Sequence, residues 1–177
     1  MNKFLILLVL FAAGCSDDSE TDNGEAQNGK PDDVGLSQSA KEFNKGIDFY
    51  KKNDYQTAIS CFSEAIRLNP KYAGAYNNRG LVYSDLGKYD EAIRDFSEAI
   101  RLNPKYAGAY TNRGIAYKRL GKNDEAIGDY TEAIRLNAKD PHAYHNRGLA
   151  YQEKGDSDKA KADLEMAKKL GLKVNNP

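Results

Sequence analysis

The residues of this 177-residue chain best suited to metal binding or acid–base catalysis are two histidines and a recurring acidic pair. His142 and His145 stand three residues apart and could share a metal, but no nearby carboxylate or thiolate completes a ligand set. We therefore expect both to be polar surface residues. Acidic pairs such as Asp90-Glu91 recur at a fixed interval, which indicates helix-start charges rather than a catalytic dyad. Phosphate loops, zinc-type cysteine spacings and nucleophile elbows are also missing from the sequence, so it predicts no catalysis, metal or cofactor.

The interval at which these acids recur is 34 residues, and the segments 73–106 and 107–140 are nearly identical. A period of this length is typical of stacked supersecondary units rather than of one globular core. It moves the functional question from an active site to an extended surface.

The spacing inside one unit predicts two helices joined by a turn. Tyr76, Gly80 and Tyr83 fall at i, i+4 and i+7 on a first helix, and a second helix repeats this spacing at Ala92, Phe96 and Ala99. Between the helices, Gly87 permits the positive φ of a helix C-terminus, and Pro104 ends the second helix. We expect the small residues to lie where two helix backbones approach closely.

The residues at fixed offsets resemble the tetratricopeptide repeat pattern. The offsets are filled in one unit by Tyr76, Arg79-Gly80, Tyr83, Ala92, Phe96 and Pro104, and in the next by Tyr110, Arg113-Gly114, Tyr117, Ala126 and Tyr130. The resemblance implies an all-α, right-handed superhelical solenoid of four helical hairpins, at 39–72, 73–106, 107–140 and 141–174.

Substitutions at both ends predict that four repeats are the complete array. Isoleucine recurs at two second-helix positions of the first three units, but the fourth unit has Lys161 and Lys168 there. Likewise, Glu42 stands in the first unit where the other three have tyrosine. Such polar residues suit the outer faces of terminal repeats.

The resemblance also implies a ligand groove lined by the first helices. Its ninth-position row is apolar, namely Ile47, Leu81, Ile115 and Leu149. Around this row the family's other ligand-facing positions correspond to Phe43, Tyr50, Lys51, Asn77, Asp85, Thr111, Lys118, Arg119, His145, Gln152 and Glu153. This mixture predicts a peptide with spaced apolar anchors and mixed charge. The alternative is that these residues form only the exposed side of a solenoid.

One subtype of the family grips a C-terminal carboxylate with lysine, asparagine and arginine. The corresponding positions here hold Phe43, Ile47, Gly108 and Asn112, and only Asn78 matches. A carboxylate clamp of that design is therefore not expected.

A correlation within the repeats predicts structural ion pairs. Arginine at the seventh position accompanies aspartate at the twenty-third in three units, whereas the first unit has Lys45 and Cys61. In an antiparallel hairpin these positions lie opposite each other. The predicted pairs are Arg79 with Asp95, Arg113 with Asp129, and Arg147 with Asp163.

The N-terminus resembles the signal of a bacterial lipoprotein. Lys3 precedes an apolar run from Phe4 to Phe11, which is too short to span a bilayer, and small residues lead to Cys15. The resemblance implies a signal peptide at 1–14 and lipidation of Cys15. An ordinary secretory signal with a chance cysteine is the alternative.

Residues 15–38 are predicted to be a disordered tether after the lipidated cysteine. Residues 16–38 carry seven acids, one base and no aromatic residue, and so cannot bury enough apolar area to fold. The stretch after Cys15 also resembles acidic tags that direct some lipoproteins to the cell surface. Beyond the tether, basic and acidic residues are interspersed without a basic stripe, so nucleic acid is not an expected partner. Cys61, the only other cysteine, is expected to pack as a small apolar residue.

Taken together, these features predict a non-catalytic adaptor for a protein or peptide, attached to the membrane through lipid only. We expect it in the bacterial cell envelope, at the outer membrane on the periplasmic face or the cell surface, assisting assembly of an envelope complex. The alternatives are a surface-exposed lipoprotein contacting host or neighbouring-cell molecules, and a regulatory partner of a cell-wall enzyme.

Overall fold

A computed structural model describes residues 31–172, with side chains from Ser37 onward. The predicted signal peptide, Cys15 and the tether as far as residue 30 lie outside this range. The described chain forms eight helices, which are α1 (Pro31–Lys51), α2 (Tyr55–Leu68), α3 (Ala73–Asp85), α4 (Tyr89–Leu102), α5 (Ala107–Arg119), α6 (Asn123–Leu136), α7 (Pro141–Glu153) and α8 (Ser157–Lys169). Among these described helices, none is long and apolar enough to cross a membrane.

Consecutive helices pack as hairpins, and each hairpin stacks on the next. The most extensive contacts join α1 to α2, α3 to α4, α5 to α6 and α7 to α8. The second helix of each hairpin then packs on the first helix of the following one. The predicted all-α solenoid of four helical hairpins is confirmed.

The turn inside each hairpin follows the sequence pattern. Gly87 has a φ of +73° between α3 and α4, which is the left-handed region that glycine enters without steric cost. Asp90 and Glu91 then occupy the first turn of α4, where carboxylates interact favourably with the helix dipole. The first hairpin uses Asn53 in the same left-handed conformation, with a φ of 60°.

The first-helix glycine in the interior of the hairpin lies against an aromatic ring. A Cβ placed on Gly80 would lie 2.7 Å from Cε1 of Phe96, which is fully buried. The same arrangement places Tyr130 against Gly114. In these two units the first-helix glycine therefore makes room for a ring rather than for a second backbone, which corrects part of the sequence prediction. In the fourth unit, a Cβ on Gly148 would lie 3.0 Å from Cγ of Leu164 and 3.2 Å from the Ala160 carbonyl oxygen.

The first helix begins earlier than the composition predicted. Residues 31–38 were expected to belong to the disordered tether, but α1 starts at Pro31. Proline at a first helical position favours a helix start, which average composition does not register. At the beginning of the first repeat, the buried Ser39 hydroxyl donates to the Ala65 carbonyl at 2.9 Å and joins α1 to α2.

Candidate peptide-binding groove

The first helices of the four hairpins form a continuous lining. They contact one another in order, α1 with α3, α3 with α5, and α5 with α7. A ligand lying across them would therefore meet each of the four units in turn.

The ninth-position row is partly buried by packing within the solenoid. Ile47, Leu81 and Ile115 each pack against a cluster of buried core residues, one cluster to each of the three stacked junctions. Leu149 instead borders an open hollow at the C-terminal end of the described helices. The row is thus apolar and continuous, and it presents only part of its surface to a ligand.

Three side chains expected to face the ligand are buried between neighbouring helices, so this part of the prediction needs correction. Asn77 is 5% exposed and accepts a hydrogen bond at 3.0 Å from Nδ2 of Asn112 on the next first helix. Thr111 is 9% exposed, and its hydroxyl lies 3.3 Å from the Ala107 carbonyl. The buried Tyr50 also turns toward its neighbouring repeat.

The hydroxyl of Tyr50 donates to Oδ2 of Asp85 at 2.6 Å, which joins the first unit to the second. Burial and this hydrogen bond raise the pKa of Tyr50 far above its ordinary value. An equivalent link joins the third unit to the fourth, because Nζ of Lys118 lies 2.6 Å from Oε1 of Glu153. The hydrogen bond from Lys118 lowers the pKa of the Glu153 carboxyl. Both acids of the predicted groove are thus engaged within the protein.

Three other polar side chains of the predicted groove are open to solvent. Lys51, Arg119 and Gln152 are exposed. Within residues 37–172, neither Lys51 nor Arg119 has a carboxylate at salt-bridge distance. The groove therefore offers two free cations and no free acid among its predicted contact residues.

At the N-terminal end of the groove, Phe43 is held by other rings. Its ring centroid lies 4.8 Å from that of Tyr72 and 5.7 Å from that of Phe62. Phe43 is consequently partly buried and contributes an aromatic edge to the first unit.

The two histidines have different surroundings in the structure. The backbone amide of His142 donates to the Asp140 carboxylate, which caps α7. Desolvation, with smaller contributions from His142 and Lys118, lowers the pKa of His145 below its ordinary value and so favours the neutral imidazole. Among the described residues, no group of three candidate ligands could hold a metal ion.

All three predicted arginine–aspartate pairs are formed, each with two parallel hydrogen bonds. Nε and Nη2 of Arg113 lie 2.8 and 2.7 Å from the two carboxylate oxygens of Asp129. Arg79 with Asp95 and Arg147 with Asp163 have the same geometry. Hydrogen bonding to the aspartate is the main reason that the pKa of each arginine is raised.

Sequence reasoning missed the third partner of these arginines, which lies in the preceding repeat. Nη1 of Arg113 donates to the Ser97 hydroxyl at 3.0 Å. In the same way, Arg79 donates to the Ser63 hydroxyl and Arg147 to the Thr131 hydroxyl. Each guanidinium also stands over a tyrosine ring of its own unit, as Arg79 does over Tyr76 at 5.7 Å. The hydroxyl residues recur every 34 positions, so the signal was present in the sequence. Each arginine thus closes its own hairpin and attaches it to the previous one.

Comparison with known families agrees with this architecture. Tetratricopeptide repeat profiles match residues 46–87, 73–106, 96–128, 116–155 and 141–170. The helical hairpins, their stacking and these matches define a repeat protein of the interaction-scaffold class. The chain belongs to the tetratricopeptide repeat family.

Individual relatives support the fold over different lengths. A STIP1 homolog from Dictyostelium discoideum is 50% identical over 38 residues, which are 22% of this chain and 7% of that protein. The crystal structure of MamA superposes with a TM-score of 0.72 at 28% identity, covering 75% of this chain and 77% of MamA. The first repeat domain of Spaghetti (RPAP3), bound to the HSP90 peptide SRMEEVD, superposes with a TM-score of 0.67 at 28% identity. That match covers 68% of this chain and 95% of the other.

Proposed function

We propose that this protein is a non-catalytic adaptor that binds an extended protein segment across its first helices while a lipid on Cys15 holds it in the bacterial envelope. The observation that carries the binding role is the continuous lining in which a partly exposed apolar row runs beside free cations. The RPAP3 domain supports this role, because it is bound to a peptide and superposes on most of the present repeats.

The charges of the groove indicate what such a segment would carry. Asp85 and Glu153 are already bonded within the protein, whereas Lys51 and Arg119 are exposed without an ion pair in the described range. The ligand proposed here therefore combines spaced apolar side chains with carboxylates placed to meet these cations. Apolar anchors would supply most of the affinity, and the charges would set orientation and rate.

The ligand is not held by the carboxylate clamp of chaperone-binding relatives. At the positions of that clamp, the ring of Phe43 packs on other aromatic rings and Asn112 donates to Asn77. Ile47 and Gly108, the other two residues, bring no charge. Recognition along the length of the segment is proposed instead of recognition of its terminus.

Photocrosslinking in intact cells tests the groove. A photoreactive residue replaces Arg119 on α5, and a matched control replaces Gly128 on α6 of the same unit, where an added side chain meets nothing within 4 Å. We expect a partner adduct from position 119 and none from position 128. Equal adducts from both positions, or none from position 119, would contradict the groove.

Lipid anchoring is tested separately by Cys15→Ser. Each CH₂ of a buried lipid chain contributes about 0.8 kcal/mol to membrane binding, so its loss should move the protein from the membrane fraction to the soluble fraction. Continued sedimentation of a processed Cys15→Ser variant with membranes would refute the anchor and leave the groove proposal intact.

A further inference from the structure

Two kinds of polar contact join neighbouring repeats, one at a single junction and one at all three. Across the junction of the second and third units, sixth-position Asn112 donates to fifth-position Asn77. At all three junctions, the seventh-position arginine donates to a twenty-fifth-position hydroxyl of the preceding unit, as Arg79 does to Ser63 at 2.9 Å. These contacts fix the register between neighbouring hairpins.

The junctions also share an apolar contact. Tenth-position Val82 is fully buried in the cluster of the first unit, against which twenty-first-position Ile59 packs. Ala116 and Ala150 take the place of Val82 at the two later junctions. The tenth-position residue of one unit therefore packs close to the twenty-first-position residue of the preceding unit.

On the outer face of α7 and α8, no residue of the described range 37–172 makes these contacts. This face holds a hollow of about 520 Å³ whose lining includes His145, Leu164, Glu165, Lys161 and Lys168. The Nδ1 atom of His145 is buried and has no hydrogen-bond partner among the described residues. His145 occupies the fifth position of its unit, as Asn77 does, so this atom lies where a sixth-position donor is missing.

The outer face of α1 carries groups that match this face. Its sixth position is Asn44, which is exposed. Its seventh is Lys45, whose side chain is 59% exposed and pairs with Glu42 on the same helix at 2.8 Å. Its tenth position is Asp48, also exposed. In the register of the internal junctions, Lys45 would meet twenty-fifth-position Glu165, and Asp48 would meet twenty-first-position Lys161. Both pairs are of opposite charge.

We propose that the protein binds a second copy of itself head to tail, with α1 of one copy seated on α7 and α8 of the other. Asn44 donates to His145 Nδ1, and Asp48 pairs with Lys161. Lys45 pairs with Glu165 through a second N–H of the ammonium group that already bonds to Glu42. The two faces differ, so the association is heterologous and can continue into an open chain of copies. This inference does not depend on the ligand groove.

Oxidative crosslinking of two differently tagged full-length copies in the same cells tests the contact, in a Cys61→Ala background. One copy carries Asn44→Cys and the other His145→Cys. The matched control is Asn77→Cys with Asn112→Cys in a single chain, which joins the same two repeat positions at an internal junction. We expect a mixed adduct between the copies, and no adduct between two Asn44→Cys copies.

Charge reversal distinguishes the proposed register from a chance encounter. Asp48→Lys in the first copy should lower the adduct yield roughly fivefold, and Lys161→Asp in the second copy should restore it. The proposal is overturned if the internal control forms without the mixed adduct, or if the yield ignores charge reversal. It is equally overturned if His145→Cys joins only a different protein.

Discussion

Breaking the Arg113–Asp129 pair from either side should destabilise the third repeat, whereas replacing both partners with leucine should not. The Asp129 side chain is 9% exposed and that of Arg113 is 20% exposed. Arg113→Leu therefore leaves a buried carboxylate without its partner and also removes the bond to Ser97. We expect a loss of about 3 kcal/mol in the free energy of unfolding.

Asp129→Leu should cost less, about 2 kcal/mol, because the remaining guanidinium keeps Ser97 and stands over the rings of Tyr110 and Tyr117. The double variant removes both charges and should lie within about 1 kcal/mol of the wild type, since apolar replacement of a buried pair is often neutral. The coupling energy between the two sites is then roughly 4 kcal/mol.

Urea unfolding followed by far-ultraviolet circular dichroism measures all four proteins of this cycle. The linear slope of the free energy must stay the same across them, because a changed slope signals that the repeats no longer unfold together. Single variants that each cost under about 0.5 kcal/mol would show that solvent screens the pair. A double variant as unstable as the sum of the singles would refute the coupling.

Three further outcomes follow from the same geometry. The hydroxyl of Tyr130, a fully buried residue, has no hydrogen-bond partner in the described range. Tyr130→Phe should therefore stabilise the protein by about 1 kcal/mol in urea unfolding, and Phe96→Tyr should destabilise it by a similar amount. Gly114→Ala should lower the free energy of unfolding by about 1–3 kcal/mol because its Cβ would lie 2.7 Å from the Tyr130 ring. Gly128→Ala places its methyl group in open space and should raise the free energy of unfolding by about 0.5–1 kcal/mol. Equal shifts in melting temperature for the two variants would contradict this expectation. The pKa of His145 is lowered from its ordinary 6.5, so the unfolded chain takes up a proton first and stability falls as pH drops below about 7. His145→Gln should show a smaller fall between about pH 7 and pH 5, and an unchanged fall would refute the assignment.

The fold could be predicted readily because each unit repeats the same local signals for where helices begin and end. Gly87 ends a helix and Asp90 begins one, and both follow from short-range chemistry that a single chain displays. The arginine–aspartate pairs were accessible for a different reason. The first unit, with Lys45 and Cys61, lacks both partners at once and so reveals that they belong together.

The groove was predicted less well because ligand-facing positions depend on the neighbouring repeat. Family position alone does not show that Asn112 reaches Asn77, or that Tyr50 bonds to Asp85, since both contacts join residues 35 apart on different helices. The early start of α1 at Pro31 was missed for the opposite reason, because composition averages over a local helix-start signal.

The double attachment of each arginine has a consequence for how such an array could change over time. Every 34-residue unit from the second onward encodes an arginine that reaches backward, and each of the first three units encodes the hydroxyl that receives it. A tandem duplication or deletion of the gene segment for one whole inner unit, such as 107–140, would therefore leave the arginine–hydroxyl contact complete at the new junction. Arrays of different length can arise by recombination between near-identical segments without a compensating point mutation at this contact.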